Sequence, residues 1–342
     1  MKKGIIVIIL LLCCITTLFA NERCLLIGIG NYPDYTGWNS ISSVNDVNLL
    51  KKTLVSKFSV STLIDQNATH AGIVKAIKTL IEESQPGDTV LIHFSCHGQQ
   101  VLTTDKNEPD KLDEALVPYD APNVKSKAYS GENHLLDNEL GNLINPLRKR
   151  LGLSGLLIIT LDACFSDSMN KGDKDANEST IYRGGADIFG SNEISADSLA
   201  KIEDTWKNHD DFTIEKLKNG SNIIMLSACQ SYQKNMEIVR NGNGYGSLSY
   251  AMYLSFNDSG FEDIGQWLDD VLKNMSDIAY MQTPQIRTTL DIKTVREEET
   301  LPSKQSSSEE TVPYPNKEIS LAIFIIVVLI LIGLVVWKKR KR

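Results

Sequence analysis

The chain has 342 residues, a formal net charge of −8 and 42% hydrophobic residues. This length and composition allow one large domain or two ordinary ones, with a sizeable core. The acidic balance argues against nucleic-acid binding and is compatible with a cationic substrate or a bound hard cation.

The first twenty residues have the three parts of a secretory signal peptide. Lys2 and Lys3 form a basic start, a short apolar run follows, and the small residue Ala20 precedes Asn21. An uncleaved anchor is the alternative, but the apolar run is short for a membrane span. We therefore predict a signal peptide at residues 1–20.

The other terminus predicts a membrane anchor. Residues 319–337 contain no charge, and residues 338–342 are all basic. A segment of this length can cross a bilayer as a helix, and basic residues mark its cytoplasmic side. Residues 296–318 are charged and rich in serine, which predicts a flexible stalk. Together with the signal peptide, these segments predict a single-pass type I membrane protein whose globular domain is extracytoplasmic.

Between the termini, apolar runs alternate with amphipathic segments, and no internal repeat interrupts them. Strands are predicted at 23–30, 58–64, 89–95, 114–118, 155–161 and 221–227. Helices are predicted at 43–57, from about 67 to 81, and at 137–151, 246–256 and 264–278. The alternation indicates an α/β domain over residues 21–295. Residues 167–220 are polar with few core residues, and we expect a mobile insertion there.

The apolar strand at 155–161 runs directly into Asp162 and Cys164. Open α/β sheets bind ligands at the carboxyl ends of their strands. Cys164 is therefore a candidate nucleophile, although a buried structural thiol is the alternative for any single cysteine.

His97 follows the strand at 89–95 in the same way. An imidazole can accept the proton of a thiol and later protonate a leaving amine. The small residue Gly98 would let its backbone N–H approach a developing oxyanion together with the N–H of Cys164. These residues predict a His–Cys pair with its own oxyanion donors.

Other cysteines and histidines compete for these roles. His93 lies within a strand and is expected in the core, and Cys229 ends another strand but has no apparent base. The remaining histidines, His70, His134 and His209, have polar neighbours and are expected to be solvated. The four cysteines beyond the signal peptide have long, irregular spacings, which favour thiols over disulfides or a zinc site.

Four ordered segments resemble the metacaspase-like branch of the caspase superfamily: residues 95–99, 112–120, 161–166 and 227–237. Residues 25–29, with Tyr32 and Asn45-Asp46, match the family's opening, so the resemblance spans about residues 23–260. It implies a caspase-like α/β/α sandwich with a mostly parallel central sheet. It also implies a cysteine endopeptidase that acts through a thioester, with His97 as base and Cys164 as nucleophile.

The resemblance also implies a substrate preference. Asp162 and Glu237 fall where the family has acidic residues of the S1 pocket, and two carboxylates there would select a cationic side chain. Protein or peptide substrates would then be cleaved after Arg or Lys. The chemistry requires no cofactor. Calcium often activates such enzymes, but no EF-hand spacing is present and no ligands can be named.

Two alternatives stay open at this point. One is a legumain- or transamidase-like relative that prefers Asn, and the other is a catalytically silent, membrane-tethered binding module. Lys171, Lys174 and Arg183 in the insertion are candidate self-cleavage sites, although each is more simply read as a solvated side chain.

Overall fold

The structure is a computed structural model that describes residues 20–103, 111–165, 181–184, 187–206, 214, 216–231, 233–258 and 260–290. Of residues 203–206 it describes the backbone alone. The predicted stalk, membrane span and basic tail lie outside these residues, as does the predicted signal peptide except Ala20. Within the described residues, no helix combines the length and the apolar character that crossing a membrane requires.

The described part of the chain contains eleven strands and six α-helices. The strands are β1 (Glu22–Gly28), β2 (Ser59–Ile64), β3 (Thr89–Ser95), β4 (Gly98–Leu102), β5 (Leu112–Leu116), β6 (Leu135–Leu136), β7 (Leu156–Asp162), β8 (Asn222–Ser227), β9 (Glu237–Arg240), β10 (Asn243–Gly246) and β11 (Gln285–Thr288). The helices are α1 (Ser43–Leu54), α2 (His70–Glu83), α3 (Asp137–Leu151), α4 (Ala196–Trp206), α5 (Ser247–Asp258) and α6 (Ile264–Ile278).

A six-stranded sheet forms the centre of the domain, in the order β2-β1-β3-β7-β8-β11. All neighbouring pairs are parallel except β8 and β11, which are antiparallel. The predicted mostly parallel central sheet is therefore confirmed. The antiparallel strand β11 at the edge was not predicted.

Both faces of this sheet are buried, which explains the continuous apolar runs in its strands. Successive side chains of a strand point to opposite faces. Ile92 and Ile159 accordingly join the core that includes residues of α2 and α3, whereas Leu91 and Ile158 join the core that includes residues of α1, α5 and α6. Helices on both faces give the three layers of the predicted sandwich.

The register of β3 against β7 determines where the candidate residues lie. Ser95 pairs with Asp162 at the carboxyl ends of these two parallel strands. His97 and Cys164 each follow two residues after this pair. Because the two strands are neighbours, both residues leave the same edge of the sheet.

The described part of the 167–220 region contributes to a small core, and the mobility of the region stays a prediction. Ile188 is buried with Leu112, and Leu199 and Ile202 pack against them. A few apolar residues at helical spacing in α4 are sufficient for this small core. The antiparallel sheet β4-β5-β6 and the hairpin β9-β10 are further elements that the sequence pattern did not predict in full.

Candidate active site

Cys164 lies just beyond β7 and is 1% exposed. Its Sγ donates a hydrogen bond to the carbonyl oxygen of Gln233, at 3.0 Å. The four cysteines that the structure describes are all free thiols.

His97 is held by two aromatic rings and one carbonyl. Its ring stacks on Trp38 with centroids 4.7 Å apart and lies 5.2 Å from the ring of Tyr32. Nε2 lies 2.9 Å from the carbonyl oxygen of Asn39. Since a carbonyl only accepts hydrogen bonds, Nε2 carries the proton and Nδ1 carries the lone pair.

The environment of His97 favours the neutral ring. Burial lowers its pKa to about 4, so the imidazole is unprotonated near neutral pH. Nδ1 is buried and has no hydrogen-bond partner among the described residues. The ring therefore presents an available basic nitrogen.

The two strand ends touch through their backbones. A Cβ built on Gly98 would lie 2.6 Å from the carbonyl oxygen of Cys164, so only glycine fits at this position. The N–H groups of Cys164 and Gly98, which the sequence predicted as oxyanion donors, both point at one oxygen. That oxygen is the carbonyl of Arg183, at 2.8 Å from the Cys164 nitrogen and 3.4 Å from the Gly98 nitrogen.

The side chain of Arg183 enters a buried pocket formed by Asp46, Asp162 and Glu237, which we call the acidic pocket. Its Nη2 lies 2.6 Å from Asp46 Oδ2 and 3.0 Å from Glu237 Oε1. Its Nη1 lies 3.6 Å from Asp162 Oδ2 and donates to Ser95 Oγ at 2.7 Å. The two predicted pocket residues thus converge on one guanidinium.

Asp46 is a third carboxylate of the pocket that the sequence analysis did not assign to it, although Asn45-Asp46 belongs to the family resemblance. It reaches the pocket from α1, where Oδ2 accepts from Ser95 Oγ at 2.8 Å and Oδ1 accepts from the Gly246 N–H at 3.0 Å. A Cβ on Gly246 would collide with the Asp162 carboxylate and the guanidinium of Arg183. Glycine at 246 therefore leaves the room that the guanidinium occupies.

Burial and the neighbouring charges shift the pKa values in the acidic pocket in opposite directions. Burial alone would raise the pKa of Asp162, but Arg183 and hydrogen bonds from Asn235 and Ser249 bring that pKa below its usual value. For Asp46, burial outweighs the attraction of Arg183 and raises the pKa to about 6. Burial would lower the pKa of Arg183, yet the surrounding carboxylates raise it above its ordinary value. The guanidinium is therefore charged at any working pH.

Two residues expected at the surface are buried. Arg183 has no exposed area, because it is paired with the acidic pocket. His134 is 2% exposed, and its ring nitrogens bond Gln99 Oε1 and the Tyr129 hydroxyl, each at 2.8 Å. In both cases the buried polar group is hydrogen-bonded to side chains that include one distant in sequence. The local sequence pattern cannot reveal such a partner.

The remaining candidates divide into three groups. His93 is in the core, as expected, between the hydroxyls of Thr160 and Ser249. His70 is partly exposed and lies 2.9 Å from Glu139. Lys171, Lys174 and His209 lie outside the described residues.

Cys229 is closer to the candidate nucleophile than its position in sequence indicated. Its Sγ also donates to the carbonyl oxygen of Gln233, at 3.5 Å. Its interaction with the neighbouring Cys164 thiol, and secondly its burial, raise the pKa of the Cys229 thiol well above its usual value.

A metal site is a separate question. In the part of the chain that the structure describes, no group of three or more His, Cys, Asp or Glu side chains is arranged to hold a metal ion. Activation by calcium stays a prediction.

The fold and this strand-end site define a caspase-like domain. Residues 21–295 match the caspase domain family, peptidase C14, and the chain therefore belongs to that family. The resemblance to its metacaspase-like members is also confirmed by curated relatives.

Three of these relatives are fungal metacaspases. Metacaspase-1 of Eremothecium gossypii is 27% identical over 270 residues, which is 68% of this chain and 56% of the relative. Metacaspase-1 of Saccharomyces cerevisiae is 23% identical over 300 residues, covering 78% of this chain and 66% of the relative. Metacaspase-1B of Aspergillus fumigatus is 24% identical over 300 residues, covering 78% of this chain and 69% of the relative.

The chain thus spans between 56% and 69% of the length of these relatives. A crystal structure of a protein from Geobacter sulfurreducens has a TM-score of 0.53 and 18% identity, and the match covers 78% of this chain and 93% of that one. This likeness supports the fold.

Proposed function

We propose that this protein is a cysteine endopeptidase that cleaves peptide bonds after Arg or Lys. One observation carries the proposal. The guanidinium of Arg183 is held by three carboxylates, while the carbonyl of the same residue accepts from the N–H groups of Cys164 and Gly98. A basic residue in this position has its carbonyl at the candidate nucleophile.

The proposed reaction uses the two strand ends. Neutral His97 accepts the Cys164 thiol proton at Nδ1, and the thiolate attacks the carbonyl carbon of the scissile bond. The N–H groups of Cys164 and Gly98 stabilise the oxyanion. His97 returns the proton to the leaving amine as the C–N bond breaks. It then activates the water that hydrolyses the thioester.

The acidic pocket favours Arg over Lys. A guanidinium offers several donors in a rigid fork, so it can contact three carboxylates and Ser95 Oγ at once. A lysine ammonium would satisfy fewer of these acceptors. An acidic P1 side chain would add a fourth buried carboxylate, and Asn would leave the pocket charges unpaired, so both are disfavoured.

The test is hydrolysis of fluorogenic peptides by the purified full-length chain in detergent. Peptides ending in Arg, Lys, Asn and Asp are compared with calcium and with a chelator. Turnover of the Arg and Lys peptides is expected, and Cys164→Ala should abolish it. Cys24→Ala, which removes another buried thiol, is the matched control and should retain activity.

Other outcomes would support one of the two alternative functions. Preference for Asn would indicate the legumain-like alternative. A folded protein that hydrolyses none of the peptides, even with calcium, would indicate a silent binding module.

We further propose that the enzyme is anchored in a membrane as a type I protein. The support is the uncharged segment 319–337 and the five basic residues after it. The full chain should stay with the membrane fraction after alkaline carbonate extraction. A chain ending at residue 318 should be released, and equal retention of both would contradict the anchor.

A further inference from the structure

The indole of Trp38 lies nearly flat against the ring of His97. The two ring centroids are 4.7 Å apart and the ring planes are inclined by 22°. Both side chains are buried, with 8% of Trp38 and 2% of His97 exposed. The indole therefore covers one face of the imidazole and keeps water away from that face.

The indole is held in this position before any substrate arrives. Its Nε1 donates to the Ala121 carbonyl at 3.0 Å. The preceding residue, Gly37, has a φ of +75°, and a Cβ there would lie 2.6 Å from the Asn123 side chain. Asn123 donates from Nδ2 to the Gly37 carbonyl at 2.9 Å and from its backbone N–H to the Thr36 carbonyl at 2.8 Å. The loop that carries Trp38 is thus fixed on both sides.

The proposed reaction makes a cation at His97, because the imidazole becomes an imidazolium when it accepts the Cys164 proton. In a Ser–His–Asp triad a buried carboxylate stabilises this cation. Here Nε2 bonds the Asn39 carbonyl and Nδ1 has no partner, so neither ring nitrogen bonds a carboxylate among the described residues. Burial lowers the pKa of His97, the Asn39 carbonyl offsets this in part, and the positive charge of Arg183 lowers it again. The imidazolium needs a further source of stabilisation.

An aromatic face can supply that stabilisation. The face of an aromatic ring carries negative charge density, and a cation within about 6 Å of the ring centroid is attracted to it, most strongly by tryptophan. The attraction is larger where both groups are removed from water. The pair of Trp38 and His97 meets both conditions. Tyr32 adds a second ring, which is 5.2 Å from His97 and tilted by 48°.

We propose that Trp38 is a positioning residue of the peptidase reaction, and that its indole face stabilises the His97 imidazolium as this cation forms. The inference rests on the proposed function, in which His97 is the base. The indole faces a neutral ring in the resting enzyme and a cation in the transition state. Because it attracts the cation more strongly, it lowers the barrier of the reaction without improving the binding of substrate.

This role differs from simple packing in what it depends on. Trp38 belongs to the apolar core that also contains Tyr32 and Ile41, and its volume alone would serve that core. Stabilisation of a cation depends instead on the electron density of the indole face. A change that lowers this density and leaves the shape of the side chain nearly unaltered separates the two roles.

The experiment places fluorinated tryptophans at position 38 of the full-length chain by site-specific incorporation. Fluorine withdraws electron density from the indole face, and one, two and three fluorines withdraw progressively more. The measurements are kcat, KM and the single-turnover rate of acylation for a fluorogenic peptide ending in Arg. Both rates should fall stepwise along the series, by roughly tenfold in total, and KM should stay unchanged.

The matched control is the same series at Trp267. This indole has no exposed area and stacks on Phe256 with centroids 5.3 Å apart, in the core between α5 and α6. Fluorine there changes a buried aromatic contact that is not made with His97. The rates should therefore stay constant along the control series.

Ordinary substitutions give a second readout. Trp38→Leu should lower kcat by roughly 10- to 30-fold, and Trp38→Phe, which retains a smaller aromatic face, should lower it less. Peptides ending in Arg, Lys and Gln should be affected equally, because His97 acts on every substrate. In a His97→Gln background, Trp38→Leu should change the residual rate by less than about twofold, because the group through which it acts is gone.

The outcomes separate this inference from the proposed function. A wild type that hydrolyses the Arg peptide, with rates that stay constant along the fluorine series at position 38, would overturn the inference alone. An equal fall in the Trp267 series, or a full effect of Trp38→Leu in the His97→Gln background, would also overturn it. A wild type that hydrolyses no peptide would overturn the proposed function, and the inference with it.

Discussion

Asp46→Asn provides a direct test of how the acidic pocket binds a basic side chain. The substitution removes one negative charge and retains the size of the side chain and an oxygen that can accept from the Gly246 N–H. It replaces the 2.6 Å charge pair with Arg183 by a neutral amide. We expect the efficiency of cleavage after Arg to fall.

The size of the effect follows from the remaining contacts. Breaking a buried, hydrogen-bonded charge pair costs about 2 to 5 kcal/mol. Because Asp162 and Glu237 still face the guanidinium, we expect the lower part of this range. A loss of about 2 to 3 kcal/mol corresponds to a roughly 30- to 150-fold fall in kcat/KM.

The assay measures kcat/KM for matched peptides ending in Arg, Lys and the neutral residue Gln. The Arg and Lys peptides should lose efficiency, while cleavage after Gln should not fall. Asp197→Asn, at an exposed position of α4, is the control for removal of a negative charge. A change below threefold for Arg, or an equal loss for all three peptides with the melting temperature unchanged, would refute this account of the pocket.

Three further predictions concern the base, the acid stability and the pocket wall. His97→Gln should lower kcat by roughly 10²- to 10⁴-fold with little change in KM, because it removes proton transfer; a normal kcat would exclude His97 as the base. Burial lowers the pKa of His93, His97 and His134 to about 4 each. Above pH 6.5 these histidines are neutral in both the folded and the unfolded chain, whereas between pH 6.5 and pH 4 only the unfolded chain binds their protons. The free energy of unfolding should therefore fall by roughly 3 kcal/mol per histidine over this range. Urea midpoints that are equal at pH 7.5 and 4.5 would contradict this. Gly246→Ala should reduce cleavage after Arg at least tenfold because its methyl group fills the pocket, whereas Gly141→Ala, where a Cβ meets nothing within 4 Å, should be neutral.

Much of the fold could be predicted because many of its strands and helices have an apolar pattern that is visible in the local sequence. β7 is apolar on both faces and α6 carries a regular apolar stripe, so the length and period of each segment are visible in the sequence. The hairpin β9-β10 and the edge strand β11 are short and half-buried, and each depends on a partner strand. Such strands have no strong local pattern, which explains why they were missed.

For the site, the sequence determined which residues end the strands. His97 and Cys164 could be found because each follows an apolar run directly, and parallel strands end at one edge of a sheet. Asp162 and Glu237 were expected in the pocket from the family resemblance, but only the tertiary structure brought them together with Asp46 and Arg183. Asp46 lies in α1, Asp162 is the last residue of β7, and Glu237 is the first residue of β9. Arg183 is buried, although it belongs to a polar stretch whose side chains were expected to be solvated. No periodicity connects groups that meet only after folding, and a buried charge becomes stable only when its partners have been brought to it.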